Sequence, residues 1–115
     1  MKTYEPPTPP LPDFVREPSG HFGWLDDRLL HEHWLLQLGP DASAVLLFLA
    51  LAADRRGASY WNRGRMAHEL SMDLHSLHRA LGRLIELGLV VHRPWSPGHV
   101  DGVWQVLNVP RRVTE

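Results

Sequence analysis

The chain contains no cysteine, and only one of its twelve cations is a lysine. Without thiols there is neither a disulfide framework nor a thiolate metal site, which fits a reducing compartment. Excess charge is missing too: 12 Lys and Arg against 13 Asp and Glu leave a formal net charge of −1, a poor match to a generic polyanion binder. The longest apolar run, Ala44 to Ala53, is ten residues, and about 20 are needed to span a bilayer. The first ten residues, MKTYEPPTPP, contain no apolar signal region. A soluble, cytoplasmic protein with no membrane partner is expected. There is no Gly-rich phosphate loop and no carboxylate pair embedded in a catalytic motif, so neither enzymatic activity nor a cofactor is expected. A chain of 115 residues, 43% of them hydrophobic, is one domain plus extensions.

The charges that are present are unevenly spread. Residues 1–54 carry three cations and eight acids (−5), residues 55–93 seven arginines and three acids (+4), and residues 94–115 two of each, which gives −1. The positive field is local, and it is built from arginine, the side chain suited to forked contacts with phosphate and guanine edges. A GC-rich genome would produce the same arginine bias. At the other end, Pro6, Pro7, Pro9, Pro10, Pro12 and Pro18 deny residues 1–20 a helix or a central strand, because each removes an amide donor. An extended, polyproline-like tail is expected, solvated or packed along the domain. Its Pro-x-x-Pro spacings also suit the aromatic groove of a protein partner.

The strongest periodicity lies in residues 67–93, AHELSMDLHSLHRALGRLIELGLVVHR. At about 100° per residue, Leu74, Leu77, Leu81, Leu84, Ile85 and Gly88 share one arc, and His75, Ser76, His78, Arg79, Gly82, Arg83 and Glu86 share the opposite one. This predicts an amphipathic helix with a basic outer face, N-capped by Asp73 and closed by Gly88. Met66, Ala67 and Leu70 give a shorter helix before it, separated only by Ser71 and Met72. Two helices joined so tightly read as a helix-turn-helix.

Upstream, Leu25, Leu29, Trp34, Leu35, Leu36 and Leu38 predict a helix between Trp24 and Leu38, entered at Asp26 or Asp27 and stopped by Gly39-Pro40. On it His31 and His33, two apart, point in different directions. Asp41 then caps a helix, ASAVLLFLALAADRRG, that is apolar nearly all round and is expected at the buried centre. Arg55 and Arg56 suit its last turn, and Gly57 its left-handed cap. Ser59, Tyr60 and Trp61 read as a short strand, and Asn62 as the N-cap of a helix from Arg63 to Leu70. Downstream, Leu89 to Trp95 and Gly102 to Val109 read as the two strands of a hairpin, with Ser96-Pro97-Gly98 and Asp101-Gly102 supplying turn chemistry. Trp104 and Val106 face one way, and Val103, Leu107 and Val109 the other, where the N-terminal segment or a second subunit would pack. Residues 110–115 are a tail.

The run MAHELSMDLHSLHRALGRLIELGLVVHR resembles the core of the winged helix-turn-helix family. That pattern has a small residue in the first helix, here Ala67, then a short turn. A second helix follows, leaving through Leu84, Leu87, Gly88 and Leu89 into a β-hairpin. The likeness covers residues 41–109. Ser71 stands where the family often has Gly to accept a left-handed backbone, and the hairpin tip, WSPGHVDG, has no Lys or Arg. The resemblance implies an α+β fold, mainly α with a small β-hairpin: a three-helix core plus an added N-terminal helix across residues 21–109. It implies binding to double-stranded DNA, as in small repressors and replication-initiator domains. The role would be that of a transcriptional regulator or an accessory factor of replication or transposition. The small footprint of one such unit favours a homodimer.

On that resemblance, helix 73–87 enters the major groove, roughly 12 Å wide against about 10–12 Å for a helix. His75, Ser76 and Arg79, near its N-terminus, would reach base edges. Arg79 would fork onto a guanine, Ser76 would meet a base or a phosphate, and Arg83 one turn later would take the backbone. His78 lies on the same face and Arg93 in the strand that follows. Arg63 and Arg65 open the preceding helix, where free amides and the helix dipole favour phosphate. The bland alternative is that the polar residues on these helices are simply a solvated helix face. No Cys, Asp or Glu at ligand spacing completes a metal site around His75 and His78, and no metal is expected. A second functional class stays open. Five tryptophans, a proline tail, an uncharged hairpin tip and a negative total charge suit a protein-interaction adaptor that binds no DNA.

Overall fold

Side-chain caps and left-handed residues fix where most of the helices begin and end. In the computed structural model, which describes residues 6–111, the elements are a 3-10 turn (Pro12–Phe14), α1 (Arg28–His31), α2 (Trp34–Ala52), β1 (Ala58–Ser59), α3 (Arg63–Glu69), α4 (Leu74–Glu86), β2 (Val90–Pro94) and β3 (Gly102–Val106). The first five residues of the proline-rich tail and the last four of the C-terminal tail lie outside the described residues. The strands form one antiparallel sheet in the order β1-β3-β2, with Ser59 and His92 both opposite Trp104. The described residues are thus α+β: four α-helices and a small three-stranded sheet. The sheet exceeds a hairpin by one strand because β1 pairs along the free edge of β3, an approach extended by the Val106 amide donating to the Gly57 carbonyl at 2.9 Å. At Gly102 the strands run so close that a Cβ would stand 2.0 Å from the Arg93 carbonyl oxygen.

The core is made where α2, α4 and the sheet converge. Val45 and Leu49 of α2, Leu77, Leu81 and Leu84 of α4, Met66 of α3, and Leu89, Val90 and Trp104 are buried together. Each fully buried aliphatic side chain contributes about 1.5–3 kcal/mol. The buried arc of α4 is centred between Leu77 and Leu84 and extends to the small Ala80. It is rotated from the arc read off the periodicity, and leaves Leu74 and Ile85 at its margin, 56% and 42% exposed.

The N-terminal half departs more from the sequence reading. The helix expected over residues 24–38 is broken at His33, whose left-handed backbone (φ 63°) separates α1 from α2. Asp26 marks the entry as expected: one carboxylate oxygen accepts the Arg28 amide at 2.9 Å, and the other accepts from the Arg28 guanidinium. That guanidinium also donates to the Val109 carbonyl at 3.0 Å, tying the front of the domain to the chain beyond β3. Gly39-Pro40 divides the α2 span into two helices, as the stop signal predicts: Gly39 leaves helical geometry (φ 77°, ψ 179°) and Pro40 opens the second helix, its fixed φ suiting a first helical turn. Asp41 lies in the first turn of this second helix, two residues past the non-helical Gly39, and not at its cap.

Nor is α2 buried all round. Val45, Leu46 and Leu49 face the core while Leu36, Leu47 and Leu51 are exposed. At 19 residues and a mean hydropathy of 1.7 it is long and apolar enough to cross a membrane by length and composition alone. The buried core helix of a soluble protein passes the same test, and the break at Gly39 divides this span in two. The helix stops at Ala52, so Arg55 and Arg56 sit in a turn beyond it. There the Asp54 carboxylate accepts the amides of Arg56 (2.8 Å) and Ala58 (3.0 Å), bonds that hold its pKa below the usual carboxylate range.

Candidate nucleic-acid interface

α3 and α4 are joined through a turn whose left-handed residue is a serine. Ser71 has φ 51°. Its amide donates to the His68 carbonyl at 3.1 Å, and the Met72 amide reaches back to Ala67 at 2.9 Å, the paired bonds of a Schellman ending. α4 closes on the same pattern around Gly88, with Leu89 donating to Leu84 at 3.0 Å. The starts of both helices are capped by side chains. Asn62 Oδ1 accepts the Arg65 amide at 2.8 Å. Asp73 accepts both the amide and the hydroxyl of Ser76 at 2.8 Å, and these bonds, the amide first, hold Asp73 below the usual carboxylate range. The Ser76 hydroxyl proton is consequently engaged in the cap and is not free for a phosphate oxygen.

Arg63, the first residue of α3, is the point where α3, α4 and the hairpin loop meet. Its amide donates to Asp101 Oδ1 at 2.9 Å, and its Nε to the Val100 carbonyl at 3.0 Å. Its Nη1 donates to Nε2 of His78 on α4, and the guanidinium carbon stands 5.2 Å from the Trp104 ring. Burial pushes the Arg63 pKa down, opposed by Asp101, without removing its charge. His92 stacks on the same indole, ring centroids 3.8 Å apart. Burial, and after it the charge of Arg63, push the His92 pKa below the usual imidazole value. The structure therefore makes Arg63 and His78 a brace between helices and hairpin. His92, Trp104 and Asp101 belong to the same cluster, though the sequence reading placed neither Trp104 nor Asp101 at the site. The signal available was strand register, since a hairpin across residues 95–101 sets His92 opposite Trp104.

The remaining residues stay available. His75 and Arg79 are exposed on the outer face of α4 and make no hydrogen bond or ion pair among the described residues. Arg83 reaches Glu86 on its own helix at 3.6 Å, a pairing worth about 0.2–0.5 kcal/mol that a phosphate would readily displace. Arg65 is exposed, its guanidinium 5.3 Å from the Trp61 ring, and Trp61 in turn meets Phe48 edge-on at 5.0 Å. Arg93 is exposed on β2. Among the described residues no group of three or more His, Asp or Glu is placed to hold a metal ion. What results is an arginine-bearing helix face backed by a rigid core, next to a braced hairpin whose tip carries no cation. Compared with known protein families, curated proteins and solved structures, the chain has no significant match to any.

Proposed function

We propose that this chain is a winged helix-turn-helix protein that binds double-stranded DNA with α4 in the major groove. It would act in the cytoplasm as a homodimeric transcriptional regulator or as an accessory factor of replication or transposition. The observation that carries the reading is Arg79: exposed near the start of α4 and uncommitted, one helical turn before Arg83 and on the side opposite Leu77, Leu81 and Leu84. A helix presented in this way offers a forked donor to guanine edges and cations to phosphate. The order α2, β1, α3, α4, β2, β3 and the sheet order β1-β3-β2 support the winged reading. Arg65 and Arg93 flank the helix as phosphate contacts, and the Arg63 brace would hold the hairpin in position without contributing charge at its tip. The test is selection of duplexes from a randomised pool at low salt. Enrichment of a common half-site supports the reading, and failure to retain any duplex opposes it.

A second reading, an adaptor that binds protein and no DNA, is favoured by the apolar surface on the N-terminal side, where Phe22, Trp24, Leu36 and Leu51 are all more than 60% exposed. It predicts damage from Trp24 substitutions and none from Arg79 substitutions.

A further inference from the structure

An apolar groove of about 970 Å³ runs between the segment at residues 21–26 and the chain at residues 105–109, with Leu46, Ala50 and Leu89 on its floor. One wall is set by Gly23, which approaches α2 so closely that a Cβ would stand 2.6 Å from the Ala50 carbonyl oxygen. Phe22, Trp24, Leu51 and Leu107 project along it and stay exposed. Its rim carries both signs: Asp26 is paired with Arg28, Asp54 accepts two backbone amides and feels the charge of Arg56, and Arg55 forms no ion pair among the described residues.

The same chain carries a segment of matching chemistry. Residues 6–20 are exposed throughout, with Leu11 at 66%, Phe14 at 78% and Val15 at 67% around the Pro12–Phe14 turn. Asp13 and Glu17 outweigh Arg16 there. The segment stands away from the body: the radius of gyration is 17.0 Å, against about 13 Å for a compact chain of this length. Proline-rich chain is already extended and loses little entropy on docking against aromatic side chains.

We infer that the groove is the seat of the N-terminal arm of a second copy, so that two chains exchange arms reciprocally. Leu11, Phe14 and Val15 enter the groove against Trp24, Leu51 and Leu107, and Asp13 and Glu17 meet Arg55 and Arg56. The contact is isologous, as a two-fold dimer requires. The inference rests on the self-association proposed above and is independent of DNA binding.

Because the chain has no cysteine, a disulfide trap reads the contact directly. Full-length Phe14→Cys and Leu107→Cys proteins are mixed and oxidised, and the double variant is oxidised alone at high dilution. The arm exchange predicts a disulfide-linked heterodimer from the mixture. A disulfide confined to single chains of the double variant places the arm in its own groove and overturns the exchange, as does the absence of any disulfide. Light scattering on the unmodified chain, on a chain starting at Ser19 and on Phe14→Ser separates the layers. A dimer that becomes monomeric on truncation, and whose dissociation constant rises about tenfold with Phe14→Ser, is expected. A dimer that survives truncation leaves self-association standing and refutes the arm. A monomeric full-length chain refutes both.

Discussion

The imidazole of His92 lies flat on the indole of Trp104, ring centroids 3.8 Å apart and planes 10° from parallel. Because burial and the nearby Arg63 charge depress the His92 pKa, the unfolded chain takes up this proton more readily than the native one. Stability should be greatest above about pH 6.5, the unperturbed imidazole value, and decline as pH falls below it, with the cost fully present once pH is under the folded pKa. Thermal melting between pH 7.5 and 5 should show the decline, and His92→Gln should flatten it. An equal slope in the variant would place the acid sensitivity elsewhere.

Ser71 occupies a left-handed position at φ 51°, and its hydroxyl makes no hydrogen bond to the described residues. A left-handed backbone costs a non-glycine residue roughly 1–2 kcal/mol, so Ser71→Gly should stabilise the protein by about 0.5–1 kcal/mol once the entropy of glycine in the unfolded chain is subtracted. Denaturant titration checks the sign. A loss of stability would mean that the serine side chain contributes a contact beyond those described.

The rotated buried arc of α4 separates leucines that look equivalent in sequence. Leu77→Ala and Leu81→Ala should each cost about 2–5 kcal/mol as large-to-small changes in a packed core. Leu74→Ala and Arg79→Ala, at exposed positions, should stay within about 0.5 kcal/mol. Denaturant midpoints on the four variants distinguish the two arcs, because the unrotated arc predicts a large loss for Leu74 as well.

What the sequence made legible was local. Asn62, Asp73 and Gly88 could be assigned as caps because a cap is settled by a few neighbouring residues, and the polar face of α4 followed from its period. The break at Gly39-Pro40 was legible as well, because glycine and proline are local stop signals. The start of the helix before it was not. The break at His33 has no glycine to announce it. At the candidate interface, the positions of His75, Arg79 and Arg83 on one exposed face came from periodicity. The engagement of Arg63 with Asp101, 38 residues away, is a tertiary event with no signal of its own. The bond from the Ser76 hydroxyl to Asp73, three residues away, is by contrast local, and it went unread although Asp73 was recognised as the cap.

Binding of duplex DNA by the outer face of α4 should show itself in its dependence on salt. Arg65, Arg83 and Arg93 offer three phosphate contacts in each protomer, so log affinity should fall against log salt with a slope of about −2.7 per protomer bound, from about −0.9 per phosphate neutralised. Arg83→Ala should make the slope shallower by about one per protomer without altering sequence preference, and Arg79→Ala should cost about 1–3 kcal/mol per half-site and relax preference at one base pair there. Measured by fluorescence anisotropy across about 0.05–0.3 M salt, that pattern is the predicted result. A flat salt response, or no binding of any duplex at the lowest salt while Trp24 substitutions abolish a protein contact, would contradict it.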